Sequence, residues 1–175
     1  MIIRPEREED FAAIHEVVRL AFEAEEMSDH QEHFLIERLR QSEDFIAELS
    51  LVCEMDQRVV GHILFSRIKI VGEEETESLA LAPVAVLPEY QHRGIGSKLI
   101  EAGHIQALQL GFTSVIVVGH ADYYPKFGYE KASKFGIRVP FEVPDENCMA
   151  MELKKDALQH RAGVVHYPEA FSLPS

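Results

Sequence analysis

Residues 79–110 read LALAPVAVLPEYQHRGIGSKLIEAGHIQALQL, and the order of residue types along them decides the fold. From Leu79 to Leu87 the chain is apolar almost throughout, with β-branched Val84 and Val86, which predicts a strand covered on both faces in the middle of a sheet. Pro83 interrupts it. A proline donates no ladder hydrogen bond, so a bulge or a splayed edge is expected at that point. After the turn Pro88-Glu89-Tyr90-Gln91 and the pair His92-Arg93, a helical period takes over at Ile95. Ile95, Leu99, Ile100, Ala102, Gly103, Ala107 and Leu110 share one broad arc, with Ser97, Lys98, Glu101 and His104 outside it.

Gly94 and Gly96 stand where the strand and turn hand over to the helix. Without Cβ atoms the backbone can approach a ligand closely, and the unpaired first N–H groups and the helix dipole favour an anion such as a pyrophosphate. Two familiar phosphate loops are excluded. Gly96 is followed by Ser97-Lys98-Leu99, which fits neither the three-glycine dinucleotide fingerprint nor G-x-x-x-x-G-K-[ST]. What stands instead is Q-x-x-G-x-G, from Gln91 to Gly96, between a V-A-V strand end and an amphipathic helix. This resembles the coenzyme A signature of the GNAT superfamily of N-acetyltransferases. Downstream, Asp122-Tyr123-Tyr124-Pro125-Lys126-Phe127-Gly128-Tyr129 resembles the aromatic-Tyr-x-Lys/Arg-aromatic-Gly-aromatic run that follows the fifth strand in that superfamily.

The resemblance implies one α/β domain over residues 1–175. Its mixed central sheet is splayed at the cofactor notch and has helices on both faces, with a core of about residues 2–153 and a C-terminal tail docked on it. It implies acetyl-CoA as cosubstrate, paired with the backbone of Val84, Ala85 and Val86 as though its pantetheine arm were an added strand. Gln91, His92, Arg93, Gly94, Ile95, Gly96 and Ser97 would hold the pyrophosphate. By position Tyr124 is the proton donor to the departing thiolate. The acceptor implied is a primary amine of a small molecule or peptide, and a homodimer is compatible with the resemblance. A noncatalytic coenzyme A-binding or regulatory module is the competing reading, and retention of Tyr124 favours the enzyme. Many relatives carry a cofactor-binding Asn before the aromatic motif, whereas Gly119-His120-Ala121-Asp122 has none. The general base stays open among Glu48, Glu77 and His120.

Composition bounds the partners. With 30 acidic against 17 basic residues and a formal charge of −13, the chain lacks the surplus of Lys and Arg on which attraction to nucleic acid or anionic lipid depends. No run approaches membrane-spanning length and no cationic-then-apolar segment opens the chain, so a cytoplasmic protein is expected. Cys53 and Cys148 read as buried, reduced thiols. His30 and His33 have a spacing that could hold a metal, but no third ligand is near in sequence, so no metal is expected.

The remaining elements follow from period and punctuation. A short first strand at 1–4 precedes a helix with Phe11, Ile14, Val18, Ala21 and Phe22 inward, and a second helix at 32–40 turns Phe34, Leu35 and Leu39 inward. Strands 49–55 and 59–71 flank the turn Asp56-Gln57-Arg58, with Gly61 and His62 interrupting the second. Residues 73–77 read as a solvated acidic turn. Residues 113–118 read as a buried strand parallel to the central one, and CMAMEL at 148–153 as a further strand. The apolar content of Val164, Val165, Tyr167 and Phe171 predicts a docked tail.

Overall fold

The computed structural model of the chain describes residues 1–172. Strands β1 (Ile2–Pro5), β2 (Phe45–Met55), β3 (Arg58–Val71) and β4 (Glu75–Val86) pair antiparallel in that order. β5 (Ser114–Val118) lies parallel to β4, and β6 (Glu130–Lys131) closes the far edge by pairing with β8 (Cys148–Glu152), which is itself antiparallel to β5. β7 (Ile137–Arg138) pairs with β9 (Gly163–His166), and β9 also continues along the edge of β3 at 69–71. The tail thus does more than dock, because it adds a strand to the sheet. The end of the expected tail, 173–175, lies outside the described residues.

Helices α1 (Phe11–Phe22), α2 (Glu32–Arg40) and α3 (Ile95–Gln109) cover the sheet on its two faces. Side chains alternate along β3, so Gly61 and Phe65 point one way and His62 the other. On the first face α3 sits close. A Cβ at Gly61 would lie 3.1 Å from Ile95 and from Leu99, and one at Gly103 would lie 2.2 Å from the Phe65 ring. Gly103 is therefore glycine because the helix backbone rests on an aromatic ring.

Several expectations are corrected by packing. Phe11 is 37 % exposed, with the Arg40 guanidinium 3.8 Å over its ring, and Val17 takes the inward place. On α2 the buried positions are His33, Ile36 and Leu39, while Phe34 is 41 % exposed. Leu110 caps α3 from outside the core and is exposed, whereas His104, expected outside, is half-buried. The acidic run turns only at 72–74. Glu75, Thr76 and Glu77 continue β4 against Val71, Ile70 and Lys69, their charges pointing outward to Lys69 and Arg67. The turn between β2 and β3 is the pair Asp56-Gln57, both at positive φ, and Arg58 already belongs to β3. Gly61 and His62 do not interrupt β3. The register slips at Val60, between the pairs Cys53–Gly61 and Glu54–Val59.

On the other face of β3 a buried polar network ties four elements together. His62 Nε2 lies 2.9 Å from Ser50 Oγ, Ser50 donates to Glu6, and Arg40 grips the same carboxylate through Nε at 2.8 Å and Nη2 at 3.0 Å. Burial alone would raise the Glu6 pKa. The hydrogen bonds from His62, Arg40 and Ser50 outweigh it and bring the carboxyl down to about 2. Burial also depresses His62, which stays neutral, and its Nδ1 is buried with no partner. Both groups bind fewer protons folded than unfolded, so stability rises with pH over the interval where they titrate. His62 contributes full stability above the ordinary histidine range, and that contribution falls as pH drops below about 6.5. Glu6 contributes on the order of 3 kcal/mol above pH 4.5, lost as pH falls toward 2. Urea unfolding of wild type should weaken steadily from pH 6.5 to 3, and Glu6→Gln should flatten the limb below pH 4.5. Parallel acid limbs for the two proteins would remove Glu6 from the account.

Candidate active site

The site begins where two strands part. β4 and β5 share only the pairs Leu79–Val115 and Ala80–Ile116, and just below them the buried hydroxyls of Ser78 and Ser114 meet at 2.7 Å. Beyond Ala80 the β4–β5 ladder stops. Ala82 and Pro83, joined by a cis peptide, together oppose the single residue Leu64 on β3, so the bulge expected at Pro83 is present. β5 keeps its pairing with β8 as far as Val118–Cys148 and leaves β4 behind.

This gives β4 an unpaired edge. Leu87 N–H donates to Val60 O at 2.9 Å, and strand alternation then turns the backbone of Ala85 toward His62 on β3 and that of Val84 and Val86 toward the gap. Of the three residues expected to pair with a ligand, Ala85 is therefore engaged already. Gln91 reaches back across the turn, and its Nε2 donates to Val86 O at 3.1 Å.

The start of α3 faces the same gap. Gly94 caps the helix at φ 80°, a left-handed conformation that disfavours a side chain, and a Cβ there would meet nothing within 4 Å. Gly94 O accepts from Lys98 N–H at 3.1 Å, so the N–H groups of Ile95, Gly96 and Ser97 precede the first helical bond. The Ile95 side chain is in the core, so only its backbone is available to a ligand. His92 and Arg93 are exposed beside this turn, with Arg93 lying 5.0 Å from the Tyr90 ring centroid. The free N–H donors stand here with Arg93 and Lys98 nearby in sequence, on a chain of net charge −13.

Residues 124–127 form a 3-10 turn that brings the aromatic motif against both elements. Such a turn separates successive side chains by about 120°, so neighbouring tyrosines go to different places. The Tyr123 hydroxyl would lie 2.9 Å from a Cβ at Gly96, beside Ser97, and Val86 Cγ2 is 3.9 Å from that same point. Sequence reasoning passed over Tyr123; its doubling with Tyr124 before the lysine was the only available signal. Tyr124 turns toward the end of β5, where a Cβ at Gly119 would come 2.5 Å from its ring. It is 7 % exposed, and burial followed by the neighbouring Tyr123 holds its phenol well above the usual range. Tyr129 completes the cluster, packing edge-on to Tyr124 with ring centroids 5.6 Å apart, and its hydroxyl lies 2.8 Å from His104 Nε2 on α3. Burial pushes His104 down to about 4.

A cavity of about 730 Å³ opens on the other side of the splay. Ala80–Ala82 of β4, Ile116 and Val118 of β5, the loop and helix from Met27 to Arg38, and Tyr167 and Phe171 of the tail line it. Among the three possible bases, Glu48 is exposed on β2. Glu77 bonds Arg67 at 2.8 Å beside Thr113, at the end of β5 away from the splay. His120 is at the open end, with Nε2 3.3 Å from Glu25 Oε2. His30 and His33 do not converge, since Nδ1 of His30 contacts Phe22 O while His33 packs on His15 and Phe34. Among the described residues no three His, Cys, Asp or Glu side chains are grouped for a metal, and no helix is long and apolar enough to cross a membrane. Both cysteines are buried and unpaired, with thiol pKa values raised by burial.

The combination of a splayed mixed sheet, a glycine-capped helix at the splay and an aromatic turn against it defines an acyl-CoA-type transferase fold. The family model described as an acetyltransferase (GNAT) domain matches residues 47–131. The uncharacterized N-acetyltransferase YjhQ of Escherichia coli K12 is 37 % identical over 147 residues, covering 82 % of this chain and 78 % of that protein. YhbS, another uncharacterized N-acetyltransferase of the same strain, is 30 % identical over 98 % of this chain and 99 % of its own length. The crystal structure of Escherichia coli YhbS in complex with CoA superposes with a TM-score of 0.89 at 27 % identity, covering 99 % of this chain and 93 % of that one. A GNAT acetyltransferase of Brucella melitensis in complex with acetyl-CoA superposes at 0.80 with 32 % identity, covering 97 % of each chain. This chain belongs to the GNAT family of N-acetyltransferases.

The tie between the aromatic motif and α3 can be tested without any ligand. Tyr129→Phe removes the hydroxyl that meets the half-buried His104 Nε2 and should cost about 1–3 kcal/mol in chemical denaturation. An unchanged midpoint and slope would mean that His104 is satisfied by water instead.

Proposed function

We propose that this protein transfers an acetyl group from acetyl-CoA to a primary amine, with the cosubstrate in the gap beside β4 and the acceptor in the cavity across the splay. The observation that carries the reading is the juxtaposition of an unpaired β4 edge with the open N-terminus of α3. A strand edge offers alternating donors and acceptors to an extended amide-bearing arm, and three unpaired N–H groups offer a cradle to a pyrophosphate. The residues suit the ligand, because Gly94 and Gly96 leave its approach clear of Cβ atoms and Arg93 adds local positive charge on a chain of net charge −13.

In this arrangement Val86 N–H is the donor available to the oxygen of the reacting carbonyl, a contribution typically worth roughly 3–4 kcal/mol. The acceptor must arrive as a neutral amine, which calls for a base. When the carbon–sulfur bond breaks, the leaving thiolate emerges in a partly dry gap. Burial keeps the Tyr124 hydroxyl protonated at every working pH, and the same burial raises the basicity of the thiolate that it meets. Tyr123 takes a separate part: its hydroxyl beside Gly96 and Ser97 positions the arm where it leaves the cradle.

Two variants separate binding from chemistry. Gly96→Val would drive a branched side chain into the Tyr123 hydroxyl at the cradle, and calorimetry should report severely weakened CoA affinity in a folded protein. Undiminished affinity would move the pyrophosphate elsewhere. Tyr124→Phe keeps the ring and loses the hydroxyl, so CoA affinity should barely change while kcat in a thiol-release assay falls by about 10²–10⁴. An effect confined to KM would assign Tyr124 to acceptor binding instead.

A further inference from the structure

We infer that His120, oriented by Glu25, is the general base that deprotonates the acceptor amine; the inference rests on the acetyltransferase reading and assigns a residue it leaves open. Two neighbours in sequence and two contacts define the position of His120. Val118, two residues earlier, lines the cavity. Gly119, its immediate neighbour, packs on the edge of the Tyr124 ring, with a Cβ there coming 2.5 Å from Cε2 and 3.4 Å from Cζ, the carbon that bears the hydroxyl. Glu25, its side-chain partner, belongs to the loop between α1 and α2, where Met27 and Asp29 line the same cavity. The His120 carbonyl accepts from Tyr123 N–H at 3.2 Å. His120 thus stands between a strand end that lines the cavity and a loop that lines it from the other side, next in sequence to the glycine against the Tyr124 ring.

The loop that carries it is held, not loose. Gly119 exchanges two hydrogen bonds with Asn147, N–H to its carbonyl and carbonyl from its side-chain amide, each at 2.9 Å. Glu25 is held in turn, since its Oε1 accepts from Met27 N–H at 3.3 Å while Oε2 faces His120 at 3.3 Å. With Nε2–H directed to Glu25, the basic nitrogen is Nδ1, and the carboxylate stabilises the imidazolium that forms. The ring is 51 % exposed, so it can return its proton to water. Its charged or titratable neighbours are Glu25 from the α1–α2 loop in contact, and Asp122, Tyr123 and Tyr124 within four residues along its own connection.

The proton balance closes. The acceptor ammonium gives one proton to His120 Nδ1, and the nitrogen lone pair forms a bond to the acetyl carbon. The carbon–sulfur bond breaks, and the thiolate takes the Tyr124 proton. The second proton shed by the acylated nitrogen restores Tyr124, and His120 releases its own to solvent. One proton is released per acetyl group transferred.

The test is the pH dependence of kcat/KM from pH 5 to 9, by thiol release from acetyl-CoA with 1,5-diaminopentane, L-lysine, tyramine and an alanine-initiated tetrapeptide as acceptors. Wild type should show an acidic limb, with activity falling as the base becomes protonated. His120→Gln should lower the plateau by about 100-fold and lose that limb. Glu25→Gln should retain the limb but lower the plateau, because the imidazole loses the carboxylate that orients it. CoA affinity and the thermal midpoint should be unchanged in both variants, a pattern that a purely structural contact does not produce. An acidic limb retained in His120→Gln overturns the assignment while leaving the transferase reading in place. Wild-type protein that binds acetyl-CoA and acetylates none of the four amines overturns both.

Discussion

The failure of one ladder governs everything else in this molecule. β4 and β5 begin side by side, joined by two residue pairs and by the buried contact between Ser78 and Ser114, and then separate where Pro83 can offer no N–H. The sheet is in effect two half-sheets joined at one end. One carries β1 to β4 with α3 beside it, and the other carries β5, β8 and β6 with the aromatic turn. Buried backbone groups must find partners, so a strand edge freed inside a protein costs stability unless something else bonds to it. Gln91 takes up one such group at Val86, and the rest of the edge is left for a ligand or water.

Both compartments of the site follow from that divergence. The gap has one face toward α3 and another toward α2 and the tail, and each face is finished by different chemistry. The α3 side has backbone donors, Arg93 and a left-handed glycine, on a chain whose net charge of −13 would otherwise repel an anion. The opposite side has Asp29, Glu32 and aromatic side chains around a cavity of about 730 Å³. An acidic background is therefore compatible with an anionic cosubstrate, because hydrogen bonds to a fixed cradle act over a few ångströms and the general charge acts only weakly through screening salt.

Local features were legible in the sequence, and long-range ones were not. The bulge at Pro83, the glycine turn and the fate of the cysteines depend on residue types within a few positions of each other, and each could be read directly. Phe11 and Phe34 misled because periodicity marks a stripe without saying which edge of it meets the sheet; Arg40 covers Phe11 from a helix far along the chain. Residues 75–77 misled through charge, since an alternating E-T-E can be an exposed strand when cations stand opposite. Ala85 was named with Val84 and Val86 because a strand sequence does not reveal which residues face a paired edge. Tyr123 escaped notice because its role depends on how a 3-10 turn directs two adjacent rings. The contact between Glu25 and His120 spans 95 residues and has no local trace at all.

The connection from Gly119 to Tyr129 settles how rigid this arrangement is. It starts on the β5 half, where Asn147 holds Gly119 from both sides, and ends with Tyr129 against His104 on α3. Between those anchors Tyr123 reaches Gly96, so the two half-sheets that separate at Pro83 meet again above the gap. Ser78 and Ser114 fix the closed end and the tyrosines fix the open one. A splay held at both ends keeps a constant width, and catalysis by orientation requires that, because a displacement of about 1 Å at a reacting centre can cost about 100-fold in rate. The aromatic residues therefore act first as spacers, and the acid role proposed for the Tyr124 hydroxyl depends on neighbours that hold the gap at one width.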